Sequence, residues 1–303
     1  MSDFKVSVIT PVYNAAKYVR KAVESATSLD EVGEVILVED GSPDNALEIC
    51  KELEREFDKV KLYQHPNGEN RGAGASRNLG IEKAQFDYIA FLDADDWYLP
   101  NRFYADRTVY NEKSDLIYSS SILEESCHDL TKIYGGKVDV RKICGINATP
   151  MEIYKYIIYK KIVLFNTNGI TVKRDFLIQD KLFDERLKLH QDSELWKRLL
   201  RRGNLYAGEI HKPTSVVRRH DNNRITARNS YSTFKMLAAF IENVGISNLY
   251  YFEKNYLLKS YLRVESKNAS NSFLRRLLYY TKLIYYKFNS KKFFLLKLSE
   301  HLN

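Results

Sequence analysis

YIAFLDADDWYLP, residues 88–100, decides the class of fold. Tyr88–Leu92 is a short continuous apolar run bounded by polar residues, the pattern of a strand buried on both faces. It runs directly into three carboxylates, Asp93, Asp95 and Asp96. In an open α/β sheet, ligands bind beyond the carboxyl ends of the strands, so these acids mark the rim of a candidate site. Outward from this stretch the same alternation repeats. Strands are expected at Lys5–Thr10, Glu34–Val38, Val60–Tyr63 and Leu116–Tyr118. Helices are expected at Ala15–Thr27, Asn45–Phe57, Ala73–Ala84 and Asn101–Glu112. Strands separated by helices of this length imply βαβ units, a mostly parallel sheet and right-handed crossovers.

Residues 121–165 carry a weaker pattern. A second patterned block spans Asn166–Thr226, and its firmest element is a helix at Ser193–Arg202, with Asp192 as an N-cap and Gly203 beyond its end. From Ser230 the chain reads as helical, aromatic and basic. No internal repeat is present. The expected division is 1–120, 121–229 and 230–303.

The chain has 303 residues, 44% of them hydrophobic and 28% charged, which excludes wholesale disorder. No apolar run is long enough for a transmembrane helix, and the first residues lack the basic segment of a signal peptide. Cys50, Cys127 and Cys144 form neither a zinc pattern nor a disulfide framework, which fits a reducing cytoplasm. The net charge is +8, but it is uneven. Up to residue 100 there are 11 basic and 19 acidic residues; beyond it there are 36 and 20. The best-patterned part is therefore acidic, which argues against a nucleic-acid binder. Asn271–Asn303 holds seven basic residues and one acid among many Tyr, Phe and Leu. That composition suits an anionic membrane surface, or equally a solvated basic face on a tail packed against its own domain.

Polar residues gather where the expected strands end. Pro11, Tyr13 and Asn14 follow the first; Glu39, Asp40, Gly41, Ser42 and Asp44 follow the second. Asn70, Arg71, Gly72, Gly74 and Arg77 follow the third. Acids at such positions also form turns and caps, and Asp44 stands where a cap for Asn45–Phe57 would be. A cluster of carboxylates repels itself unless a cation is present, which favours a metal-assisted site for an anionic, aromatic-stacking ligand. The glycines lack the G-x-G-x-x-G spacing of a nicotinamide site, and no P-loop is present.

Four ordered stretches make the pattern specific: SVITPVYNAAKYVRKAVES (Ser7–Ser25), VEDGSPD (Val38–Asp44), NRGAGASRNLGI (Asn70–Ile81) and FLDADDWYLP (Phe91–Pro100). They resemble the successive motifs of family 2 glycosyltransferases, inverting enzymes of the GT-A fold: an α/β, Rossmann-like mixed sheet with helices on both faces, here followed by a helical tail. The resemblance is strong from residue 4 to about 120 and looser to about 226. It implies that Pro11, Tyr13 and Asn14 pack on the nucleobase and that Glu39 and Asp40 contact it, usually a uracil. Glu39 stands where Asp is commoner. Arg71 and Arg77 match basic positions near the nucleotide and its phosphates. Asp93 is expected at the ribose and Asp95 on Mn²⁺ or Mg²⁺, with Asp96 assisting through water. LHQDSELWKRLLRRG (Leu189–Gly203) resembles the element bearing the catalytic base, which points to Asp192, with Glu194 as the alternative and Gln191 where the family usually has Glu. VVRRHDNNRIT (Val216–Thr226) resembles the later element in which a histidine, here His220, completes the metal and diphosphate site, with Arg218, Arg219 and Arg224 as further phosphate partners. Trp97 and Trp196 are expected in the core rather than at a sugar.

The implied activity is transfer of a sugar from a nucleotide-diphosphate donor, a UDP-sugar above all, to a hydroxyl of a glycan or lipid-linked acceptor in cell-surface polysaccharide synthesis. The expected location is the cytoplasm, peripheral on the inner membrane face. Two rivals stand beside it. A sugar nucleotidyltransferase needs a Gly-rich basic loop after the first strand, where this chain has Pro-Val-Tyr-Asn. A non-catalytic nucleotide-sugar or membrane-binding module draws its support from Gln191.

Overall fold

The computed structural model describes residues 4–110, 113–129, 132–134, 138–162, 165–218 and 230–266, together with Tyr279 and Lys282. The expected strands form as β1 (Val6–Val12), β2 (Val32–Glu39), β3 (Val60–Gln64), β4 (Tyr88–Phe91) and β6 (Leu116–Tyr118). With β9 (Ile170–Lys173) and β10 (Leu205–Ala207) they make a seven-stranded sheet in the order β10-β6-β9-β4-β1-β2-β3. β1 to β4 are mutually parallel where they pair. β9 runs antiparallel to both β4 and β6, between them, so the sheet is mixed. A second sheet, β5-β11-β7-β8, joins β5 (Trp97–Tyr98), β11 (Ser215–Val217), β7 (Ser121–Leu123) and β8 (Ile133–Tyr134). Strands of two or three residues are too short to show a period, which is why the sequence does not announce them.

Alternation along the strands sorts their side chains to two cores. Val35 and Leu37 of β2, and Tyr88 and Ala90 of β4, face one core, which α1 (Val19–Thr27) and α2 (Ala46–Glu56) close with Val23, Ala26, Cys50 and Leu53. Ile36, Val38, Ile89 and Phe91 face the other. That side is covered by α3 (Ala73–Lys83), α6 (Pro150–Lys160), α7 (Arg174–Ile178) and α8 (Gln191–Leu200). Trp196 of α8 packs there against Phe91, Phe165 and Phe183, with ring centroids 5.7–6.1 Å apart.

Three helix boundaries differ from expectation. α1 starts at Val19, because Ala15–Tyr18 closes a turn in which Ala15 O accepts from the Tyr18 and Val19 amides. Between Asn101 and Tyr110 the chain is mostly turns, with one short helix α4 at Asp106–Val109. α8 begins two residues early, so Asp192 lies in its first turn instead of capping it. Asp44 does act near a helix start, accepting from the Ala46 amide at 3.2 Å.

After α5 (Val140–Cys144) and the helices above, α9 (Ser230–Val244) and α10 (Tyr251–Ser266) form a hairpin with its own core of Leu237, Phe240, Ile241, Leu258 and Leu262. Polar contacts tie this hairpin to the main body. Asn243 Nδ2 donates to Glu194 and Asp184, and buried Glu253 accepts from Tyr154 Oη and Arg201 Nε. Apart from Tyr279 and Lys282, the basic segment 271–303 lies outside the described residues. Lys282 pairs with Glu265 at 2.8 Å, and Tyr279 packs beside the hairpin core. No helix among the described residues is long and apolar enough to cross a membrane.

Candidate active site

A cleft of about 330 Å³ opens at the carboxyl ends of β1 and β4. From β1 it receives Pro11, Tyr13 and Asn14, and Tyr13 is 41% exposed. Asn14 adopts a left-handed backbone, φ 52°, and its amide donates to Ser42 Oγ at 3.2 Å. The turn after β1 is thus pinned to the turn after β2.

The two acids ending the second motif have separate fates. Asp40 reaches the cleft edge, and its carboxylate accepts from the Arg71 and Gly72 amides at 2.7 and 2.9 Å. Gly72 has φ 89°, a left-handed conformation that glycine tolerates at no steric cost. Asp40 therefore fixes the entry to α3, and buried His65 stands behind it, with Nε2 at 3.6 Å from Asp40 and 3.2 Å from Ser76 Oγ. Glu39 does not line the cleft. It is buried, accepting from the Ser42 amide at 2.6 Å and Gln64 Nε2 at 2.7 Å. The longer Glu side chain reaches the neighbouring strand, so any contact with a base would cost those two bonds. Arg71 also lies outside the cleft lining; its exposed guanidinium pairs with Glu185 at 3.2 Å.

The carboxylates after β4 converge with the basic residue of α3. Arg77 Nη2 donates to Asp93 Oδ1 at 2.6 Å, while its buried Nε and Nη1 have no hydrogen-bond partner among the described residues. Arg77, Asp93, Asp95 and Asp96 all line the cleft. Burial pushes the Asp96 carboxyl well above the usual range, and repulsion from Asp93 and Asp95 adds to it. Among the described residues no three His, Cys, Asp or Glu side chains are gathered as a metal's ligand set. His220, expected to supply one ligand, lies outside the described residues together with Arg219 and Arg224. Arg218 is described: its amide donates to Asp96 Oδ1 at 2.8 Å, and its guanidinium lies over Tyr18 and Trp97. Trp97 is half-buried between Arg218 and Lys21 rather than sunk in the core.

Across the cleft stand Lys188, His190, Gln191 and Asp192. Asp192 accepts from the Ser193 amide at 2.7 Å and, loosely, from Thr167 Oγ1 at 3.5 Å. Glu194, the alternative base, is fully buried and held by Arg198 Nε and Nη2 at 2.7 and 2.9 Å, so it is structural. Gln191 is buried, its Oε1 has no partner among the described residues, and its stem packs on Gly74 at the start of α3.

Two residues that hold this arrangement carry no motif of their own. Asn168 accepts from the Asp93 amide at 3.0 Å and donates to Asp96 Oδ2 at 2.5 Å, fixing the turn that presents the acids. Arg102, fully buried, donates to Asn168 O and to Asp106. The block Asn166–Thr226 was visible as patterned sequence, but an Asn in a turn gives no sign of its partners 72 and 75 residues away.

Residues 7–119 match the profile of glycosyl transferase family 2. This segment belongs to the family. An uncharacterized glycosyltransferase of Rickettsia bellii is 30% identical over 278 residues, 88% of this chain but only 37% of that protein. The chain thus spans well under half the length of that relative. A Campylobacter jejuni GalNAc(5)-diNAcBac-PP-undecaprenol beta-1,3-glucosyltransferase is 24% identical, over 92% of this chain and 83% of its own. Among solved structures, S. aureus TarS 1–349 in complex with UDP-GlcNAc superposes with a TM-score of 0.66 at 20% identity, covering 88% of this chain and 73% of that one. The Pyrobaculum calidifontis mannosyltransferase PcManGT, in complex with GDP-Man and Mn²⁺, gives 0.59 at 14% identity, covering 98% and 87%. These likenesses establish the GT-A fold.

Proposed function

We propose that this chain is an inverting glycosyltransferase that moves a sugar from a nucleotide-diphosphate donor, a UDP-sugar above all, to an acceptor hydroxyl. The observation that carries the reading is the pairing across one cleft. Arg77, Asp93 and Asp95, read as the nucleotide-binding groups, line the same cleft as Asp192, read as the base. TarS in complex with UDP-GlcNAc supports the donor class. Pro11, Tyr13 and Asn14 receive the base against the Tyr13 ring, with Asp40 at the edge. Arg77 has two buried donors to offer an anionic group.

A divalent cation fits the chemistry of the donor set. Asp95 with Asp93 and Asp96 is an acid cluster that raises its own repulsion, and one or two carboxylates with diphosphate oxygens and water suffice for Mg²⁺ or Mn²⁺. The mannosyltransferase bound to Mn²⁺ supports this. When bound at Asp95, such an ion neutralises charge on the leaving diphosphate. His220 is the proposed further ligand.

The transfer itself is a single displacement. The acceptor oxygen attacks C1 of the sugar, the C1–O bond to the diphosphate breaks, and Asp192 takes the acceptor's proton. Attack opposite the leaving group inverts the anomeric centre. Thr167 and the Ser193 amide orient the Asp192 carboxylate. The acceptor is proposed to be a growing cell-surface or lipid-linked glycan. The named activity of the Campylobacter relative supports this, as does the basic-aromatic segment 271–303, which suits peripheral attachment to a membrane.

Asp192→Asn tests the base. The amide still accepts from Ser193, so thermal stabilisation by UDP with Mn²⁺ should persist while turnover falls by about 10²–10⁴-fold, the usual contribution of a general base. Retained turnover would overturn the assignment. Undiminished activity in EDTA would remove the cation.

A further inference from the structure

We propose that the face built by the C-terminal end of α6 and the N-terminal end of α10 docks on an anionic membrane surface. Tyr159, Tyr250 and Tyr251 stand there at 60%, 48% and 79% exposure, unusually high for aromatic rings. Tyr159 and Tyr250 form one patch, both lying against Phe252 with ring centroids 6.1 and 5.9 Å away, and Tyr251 is the next residue along the chain. Phe252 is itself buried against Tyr154 of α6, so the patch has a rigid floor.

Exposed lysines neighbour the rings along both helices. Lys155 lies one turn before Tyr159 on the same exposed side of α6, and Lys160 and Lys161 follow it. On α10, Lys259 and Arg263 continue the exposed rail that starts at Tyr251, at four-residue spacing. Lys155, Lys160, Lys161, Lys254 and Lys259 form no ion pair among the described residues. The acids within these two stretches are spoken for: Glu152 closes the capping box of α6, and Glu253 is buried beneath Tyr154 and Arg201. The result is a cationic surface with tyrosines at its centre. Tyrosine with lysine is the composition of the membrane–water interface, where the ring is half-buried and the ammonium reaches lipid phosphate. Anionic lipid is the partner that this charge complements.

The patch lies at the far end of α8 from the cleft. Arg201, which holds Glu253 beneath the patch, is nine residues after Asp192, or roughly 14 Å along the helix axis. Docking there leaves the donor cleft uncovered. The surface is also distinct from the tail 271–303, and its existence does not depend on the transfer reaction.

The test is sedimentation of the full chain with vesicles of phosphatidylcholine alone or mixed with phosphatidylglycerol. The wild-type chain should bind the anionic vesicles and be released by salt. A basic residue near such a surface contributes about fivefold in partitioning, so Lys155→Glu with Lys160→Glu should weaken binding by at least about 25-fold. Tyr159→Ser with Tyr251→Ser should weaken it as well. All variants should keep the wild-type thermal shift with UDP and Mn²⁺, which shows folding and reads the donor site separately. Equal binding by wild type and both double variants would place attachment elsewhere, in the tail, and overturn the proposal. No binding to either vesicle, or capture by a protein partner alone, would overturn it too.

Discussion

Replacing Arg102 by methionine probes the scaffold beneath the acids. The guanidinium is fully buried and donates to Asn168 O at 3.0 Å, Asp106 Oδ2 at 3.0 Å, Ile170 O at 3.2 Å and Thr171 Oγ1 at 3.1 Å. Asp106 is equally buried, and it also accepts from Thr171 and Ser119 hydroxyls. Methionine fills much of the volume but leaves the Asp106 charge without its cation. Removing one partner of a buried pair costs about 3–5 kcal/mol, against a typical total stability of roughly 5–15 kcal/mol. For a chain of this size the melting temperature should fall by about 5–8 °C. Adding Asp106→Asn removes the stranded charge while leaving an acceptor for Thr171. The double variant should therefore be more stable than Arg102→Met, with a coupling energy of about 1–3 kcal/mol in a double-mutant cycle of urea or thermal unfolding. A loss below about 1 kcal/mol for Arg102→Met, or strict additivity in the cycle, would show that the pair does not hold the turn as described.

Asn168→Ala should cost about 2–4 kcal/mol in folding, since one charged-group bond is lost and the Asp93 amide is left unsatisfied. It should also weaken the Mn²⁺-dependent thermal shift by UDP, measured by titration. Burial opposes ionisation of Asp184, but Arg186 and Asn243 outweigh it and hold the carboxyl below the ordinary range. A depressed folded-state value gives stability that is present above pH of about 4 and lost as pH falls through the folded value. Acid unfolding followed by circular dichroism should therefore begin just below that pH, and Asp184→Asn should flatten this slope. Iodoacetamide with peptide mapping should modify exposed Cys127 well before Cys50, whose thiol burial pushes up to about 12 with help from Glu39 and Asp44.

The parallel half of the sheet was legible because β1, β2 and β4 are buried on both faces and α1, α2 and α3 follow β1, β2 and β3. The antiparallel β9 was not, since ITVK is four residues long and its place between β4 and β6 depends on partners far away in sequence. At the site, runs of unusual polar residues after strands pointed to Tyr13, Asp93 and Asp95, and the family resemblance of Leu189–Gly203 pointed to Asp192; all four share the cleft. The same signal could not separate Asp40 from Glu39. Adjacent residues at a strand end point to opposite faces, and only packing decides which one meets solvent. Asn168 and Arg102 were hidden for a different reason, because their roles consist of single bonds to backbone and carboxylates dozens of residues distant.

The start of α3 and the start of α8 meet at the contact between Gly74 and Gln191, so two helix amino termini open onto one cleft. Each carries about half a positive charge. The lining holds five carboxylates, Asp40, Asp93, Asp95, Asp96 and Asp192, against the three cations Arg77, Lys188 and Arg218. The helix ends reduce this surplus of negative charge without cancelling it. On the proposed reading, an anionic donor and a divalent cation would therefore enter most favourably as a pair. Each should tighten the other's binding by the same factor, a reciprocity required of any two ligands that share one pool of charge.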